Sequence, residues 1–286
     1  MRSVFLPLLM SATPSGCVHP GASMGSSALP ASAYHLSMVV DFDTTLQPPS
    51  AHPSARAGVH RHGEEWSLAV TVTPTDRRGD GSLIERIDFD AVAVRARPTS
   101  GSEGAPGASE AHPLEGRSMR MRRFDSGEIL AVLDASHVLG ADRQLEVVDL
   151  ILPVLSPKVP ALRRGDRVTW NTRWPLELGD DRQQLGMLRL TWSLVGAERV
   201  GGEPCWRVTY EGDWQTRIGQ RAGPRPVEGV LEGVGTATGE AWISKRTGAV
   251  ERHRFDWTRQ VDVPAADGTA TAISQTQRFS GNLERS

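Results

Sequence analysis

Apolar and polar residues alternate along most of this chain. Leu188, Leu190, Trp192 and Leu194 fall on one side, with Arg189, Thr191 and Ser193 on the other. Side chains of a strand point to opposite faces with period two, so this stretch predicts a half-buried antiparallel strand. The same pattern predicts strands at Tyr34–Leu46, Trp66–Thr73, Leu83–Arg97, Arg117–Phe124 and Glu128–Leu133. In the second half it predicts Asp166–Trp174, Gly186–Val195, Cys205–Tyr210, Gly229–Ser244, Val250–Val263 and Thr269–Phe279. Within Leu83–Arg97, Ile87, Phe89, Ala91 and Ala93 share one face while Val92 and Val94 lie on the other, a switch that marks a bulge or a strand junction. Asp125-Ser126-Gly127 and Thr247-Gly248 have the chemistry of tight turns. Residues 47–63, with prolines and three histidines, read as a loop. The low-complexity stretch 98–113 reads as a mobile insertion, and the polar tail Ser280–Ser286 as frayed.

One segment changes period. Leu145, Val148 and Leu152 in Asp142–Leu152 follow helical spacing; Asp142 can cap the start, Glu146 suits the first turn, and Pro153 would end the helix. The expected fold class is mainly β (α+β): an antiparallel, strongly curved sheet or half-barrel with one central helix, in a single domain over 34–286. Gly233-Val234-Gly235-Thr236-Ala237-Thr238-Gly239 resembles a phosphate loop, but no helix follows and no Lys is in place. It reads instead as a strand that must bend sharply or approach another backbone closely.

Composition narrows the function. The formal net charge is −2, which provides no field for polyanions and argues against nucleic acid as a partner. Seven of the eight tryptophans follow residue 169, most of them in alternating segments. They suggest an apolar concavity. The two cysteines, Cys17 and Cys205, cannot form a disulfide framework, and Cys205 within a strand suggests packing. Residues 1–17 (MRSVFLPLLMSATPSGC) carry a positive charge, a short apolar run and small residues, the order of a secretory signal peptide. Cys17 after Ser15-Gly16 stands where a lipobox cysteine would be lipidated, and 18–33, rich in Gly, Ser, Ala and Pro, reads as a flexible tether. The expected location is exported: periplasmic, or anchored to the outer membrane of a bacterial envelope.

The signal-like leader, the two strand meanders and the helix between them give a distinctive layout. With Pro157-x-x-Pro160-x-x-x-x-Gly165-Asp166-x-x-x-Trp170, Gly202-Glu203-Pro204-Cys205-Trp206 and Trp242-Ile243-x-x-x-Thr247-Gly248-Ala249-Val250, this layout resembles the LolA/LolB-like half-barrels and related bacterial envelope lipoproteins. The resemblance implies an open barrel with a helical lid that holds acyl chains on its concave face. The chain is longer than those carriers and adds the 98–113 loop.

Gly21-Ala22-Ser23-Met24-Gly25 matches a nucleophile elbow in letters only, lying in the tether and not between strand and helix. His60, His62 and Glu64 would share a strand face and, with His52, could bind a metal, but no second shell is visible and they read as a solvated loop running into a strand; no metal site and no cofactor is expected. Arg117, Arg120, Arg122 and Arg123, interleaved with Met119 and Met121, read as a wet face opposite a buried one, or as a contact for anionic headgroups. His253 is expected to be structural. With no nucleophile, base and acid at catalytic spacing, the protein is not expected to be an enzyme. Two functions stand. One is an exported, lipid-anchored protein that binds a lipid or apolar small molecule on Trp192, Trp206, Tyr210, Trp242 and Trp257, with helix 142–152 as plug or lid. The other is a non-catalytic envelope scaffold with a packed core.

Overall fold

The computed structural model describes residues 31–46, 58–97, 112–124, 129–133, 151–155, 159, 161–177, 182–220, 231–264 and 271–286. Among the described residues eleven strands follow in order: β1 (Ser32–Leu46), β2 (Gly58–Arg77), β3 (Leu83–Arg97), β4 (Ser118–Arg123), β5 (Ile129–Leu133), β6 (Arg167–Glu177), β7 (Arg182–Val200), β8 (Glu203–Gln220), β9 (Leu231–Ser244), β10 (Val250–Pro264) and β11 (Thr271–Arg285). Each pairs with its neighbour in sequence, and β1 also pairs with β11, so the sheet curls into a barrel. The expected strongly curved antiparallel sheet is what forms, and its curl runs beyond a half-barrel. Ten junctions are antiparallel; the last, between β5 and β6, is a single parallel pair, Val132–Leu176. Parallel neighbours need a crossover connection. Here a described part of that crossover, the helical turn α1 (151–155), lies inside the barrel with Ile151, Leu152, Val154 and Leu155 all buried.

Alternation decides which side is the core. Leu36, Met38 and Val40 of β1 face inward and are buried, while Ser37 is exposed. The outer wall is polar. Thr169 meets Thr191 at 2.9 Å, Thr236 meets Thr258 at 2.9 Å, and Arg61 pairs with Asp43 at 3.1 Å.

The face switch in β3 is a bulge. Ala69 pairs with Ala91 and Val70 with Phe89, leaving Asp90 unmatched, so Ile87 and Phe89 face inward below it and Val92 above. Arg120 lies opposite buried Met119 and Met121, as expected of a wet strand face, and Arg122 bonds Asp80 and Ser82. Arg123 departs from that face: the register slips beside it, and it forms a two-pronged pair with buried Glu85.

Four expectations need correction. Residues 58–63 belong to β2 and not to a loop, because β1 pairs with β2 as far as Leu46–Gly58. β8 does not stop at Tyr210: Gly212 keeps the inward parity, and Trp214 and Thr216 continue the buried face. The tail is not frayed. Ser280–Arg285 closes the barrel against β1 with Leu283 buried and Arg285 bonded to Glu251 at 2.8 Å. Pro153 lies within α1 instead of ending it, with helical residues on both sides of it. The signal segment, Cys17, most of the tether, Gly21–Gly25, His52, residues 98–111 and the helix positions 142–150 lie outside the described residues.

Candidate functional site

The interior is built in cross-strand rows. One reads Trp66, Met38, Gly281, Phe255, Gly239, Tyr210, Trp192 across β2, β1, β11, β10, β9, β8 and β7; the next reads Glu64, Val40, Phe279, Trp257, Ala237, Gly212, Leu190. Glycine seats the neighbouring rings. A Cβ on Gly239 would lie 2.4 Å from the Tyr210 hydroxyl, and one on Gly281 would lie 2.6 Å from Phe255. At Gly235 the obstacle is backbone: its Cβ would lie 1.7 Å from the Thr258 carbonyl oxygen. The glycine-rich run in β9 therefore makes the close backbone approach its sequence suggested.

Trp192, Tyr210 and Trp257 meet in this interior and are buried. Trp192 stacks obliquely on Tyr210 at 4.7 Å, and Trp257 makes edge contacts with Phe255 and Trp214. Trp206 packs against the cluster from its margin, with the Lys245 ammonium 3.8 Å above its ring. Trp242 is elsewhere. Ala241 and Ile243 beside it join the interior, so alternation turns Trp242 to the outer wall. It is buried there beneath Arg207, Arg252 and Arg254, with its Nε1–H donated to Glu198. It therefore belongs to an outer cation–π cluster and not to the concave lining. Trp242→Ala is expected to cost about 2 kcal/mol of stability, the scale of a desolvated cation–π contact, and to leave ligand binding unchanged, which parallel urea melts and binding titrations would read.

Trp214 and Phe279 join the rings inside and were not foreseen. Trp214 is fully buried and its Nε1–H has no hydrogen-bond partner. Above it Arg259 is buried, its guanidinium 4.7 Å from the Trp214 ring centre, donating to Gln277 Oε1 and Thr216 Oγ1. Near the same end His62 stacks on Phe42 and bonds Glu64 at 2.7 Å, and Glu64 also accepts from Trp66 Nε1. These contacts give His62 and Glu64 partners within the wall. Among the described residues no group of His, Cys, Asp and Glu is set to hold a metal.

His253 anchors a polar thread through the apolar interior. The Val154 carbonyl of α1 can only accept, so His253 donates from Nδ1 at 3.0 Å. Nε2 is then bare and accepts from the Tyr210 hydroxyl at 2.8 Å, whose oxygen accepts from Trp257 Nε1–H at 3.0 Å. Burial pushes His253 down to about 4, partly opposed by its bond to Val154, and pushes the Tyr210 hydroxyl up. Both are neutral at pH 7. Cys205 is buried on β8, which raises its thiol pKa and makes it inert, as its packing role required.

No protein-family model and no curated protein matches the chain. Solved structures give distant likenesses. Lipovitellin, from a study of lipid–protein interactions, has TM-score 0.45 and 11% identity over 91% of this chain, which spans 25% of lipovitellin's length. The hypothetical lipoprotein YmcC of Escherichia coli K12 has TM-score 0.22 and 13% identity over 88% of this chain and 84% of its own. Pseudomonas aeruginosa OpdK with vanillate has TM-score 0.19 and 8% identity over 90% of this chain and 99% of its own.

Proposed function

We propose that this is an exported envelope protein, tethered to a membrane through a lipid on Cys17, that holds an apolar ligand such as an acyl chain inside its barrel. The observation that carries the reading is the interior itself. A continuous wall of Trp192, Tyr210, Trp214, Trp257, Phe255 and Phe279 surrounds a filler, α1, that belongs to a connection and not to the wall. The orphaned Trp214 N–H adds a donor for which a ligand oxygen would be the missing acceptor. The order of residues 1–17 supports export and anchoring.

A second reading, a scaffold with a packed core and no ligand, is favoured by the same α1, because it fills the barrel with the chain's own side chains. Lipid extraction of the purified protein followed by mass spectrometry separates the two. The carrier reading expects a co-purifying lipid near one per chain and saturable uptake of a fluorescent fatty acid. If neither appears at any loading, the scaffold reading stands.

A further inference from the structure

We propose that the Trp257–Tyr210–His253–Val154 thread is an acid-operated latch: a proton on His253 releases α1 from the barrel wall and opens the interior. The latch rests on the carrier reading, since it regulates access to that same interior.

The geometry permits one protonation state. Nε2 must be a bare acceptor to receive the Tyr210 hydroxyl, because Nδ1 has its proton committed to the Val154 carbonyl. An imidazolium would bring two N–H groups. The second would meet a Tyr210 oxygen that already takes the Trp257 N–H while its own proton points at the same nitrogen. Among the described residues, the charge would also sit where no partner neutralises it. In the cross-strand row of His253 stand Leu68, Leu36, Leu283, Ala241, Val208 and Leu194, and Phe255 and Tyr210 lie against the ring. The described residues of α1, 151–155, are uncharged.

Among the described residues, the other charged and titratable groups on the inner wall stand in other cross-strand rows. Toward the tight-turn end are Tyr34 and the pairs Glu251–Arg285 and Glu85–Arg123; toward the other end are Arg259 and the His62–Glu64 pair, with His112 against Trp66. The contact is also well placed to matter. Val154 belongs to α1 and its carbonyl accepts the His253 N–H, so this bond ties α1 to β10. The crossover it holds joins β5 to β6, the two strands that close the barrel by one residue pair.

Burial holds the ring near pKa 4, whereas a released imidazole titrates near 6.5. Each pH unit lost between those values shifts the balance toward release about tenfold, or roughly 300-fold across the window. The test uses the full chain. Hydrogen exchange, corrected for the intrinsic rate at each pH, should show protection of residues 151–155 falling from pH 7 to pH 4.5 while β8–β10 stay protected. Uptake of the neutral probe N-phenyl-1-naphthylamine should rise in step. His253→Gln keeps a donor and an acceptor but does not titrate, and should remove the pH step; His62→Gln, at the exposed rim, should keep it.

Protection of 151–155 that does not change with pH, or the same pH step in His253→Gln, overturns the latch. Should that variant fail to fold, the wild-type imidazole resonance decides: if His253 titrates while 151–155 stays protected, the latch is wrong. A pH step in exchange without probe uptake at any pH refutes the carrier reading, and with it the opening of a ligand site, and leaves only the acid release of α1. Uptake that is the same at every pH refutes the latch and leaves the carrier.

Discussion

Gly235→Ala is expected to abolish folding: no soluble protein with β-type circular dichroism should be recovered at 25 °C. An alanine Cβ there would stand 1.7 Å from the Thr258 carbonyl oxygen and 2.8 Å from the Arg259 Cα. Both obstacles are backbone on β10, so no side-chain rotation relieves them. β9 and β10 would have to separate, breaking the ladder that runs from Trp242–Arg252 to Glu232–Asp262. Overpacking a core with a methylene costs typically 1–3 kcal/mol when side chains can yield; a clash between backbones exceeds about 5 kcal/mol, the whole margin of a weakly stable domain. Gly202→Ala is the control. Its φ is +87°, so alanine costs about 1 kcal/mol there, and open space surrounds the added carbon. A Gly235→Ala protein that melts within 1 kcal/mol of wild type would show that the rows of the barrel are not seated on glycine.

How much of this the sequence reveals depends on what kind of signal each part leaves. Period-two alternation is local, so the strands and the curled antiparallel class were legible, and even the bulge at Asp90 announced itself by moving the apolar face from Phe89 to Val92. Ends were harder. Glu211-Gly212-Asp213 has turn composition, yet Gly212 is small because the Arg189 carbonyl oxygen lies where its Cβ would be, and β8 passes straight through to Trp214. The polar tail looked free because the partner that orders it, β1, lies more than two hundred residues away.

The candidate site was half legible. Parity placed Trp192, Tyr210 and Trp257 correctly on one face. It would also have placed Trp242 on the other had it been counted from Ala237, since the five residues to Trp242 leave it on opposite parity. The hydrogen-bond thread left no trace in sequence: His253 and Val154, about a hundred residues apart, meet only because α1 lies inside the barrel. That crossover also bears on the choice between carrier and scaffold. A segment that fills a core permanently gains from anchoring on its own apolar residues. One that must leave gains from an anchor that can be broken without breaking the wall, which a histidine to a carbonyl provides.

Trp257→Ala should destabilise the protein by about 4 kcal/mol, the range of a large aromatic truncated in a core, with Trp257→Phe costing about 1 kcal/mol. The ring is 1% exposed and sits between the edge contacts of Trp214, 5.1 Å away, and Phe255, 5.9 Å away. Alanine leaves a cavity against Ala237, its cross-strand neighbour on β9, which has no side-chain length to fill the space. Phenylalanine keeps most of that area and loses the Nε1–H donated to Tyr210. That loss is mild, because the Tyr210 hydroxyl still donates to His253 and only one accepted bond is gone. Urea unfolding followed by far-ultraviolet circular dichroism would measure both variants with a shared m-value. Were the phenylalanine variant to lose as much as the alanine variant, the hydrogen-bond thread, and not ring burial, would be what holds the centre of the barrel.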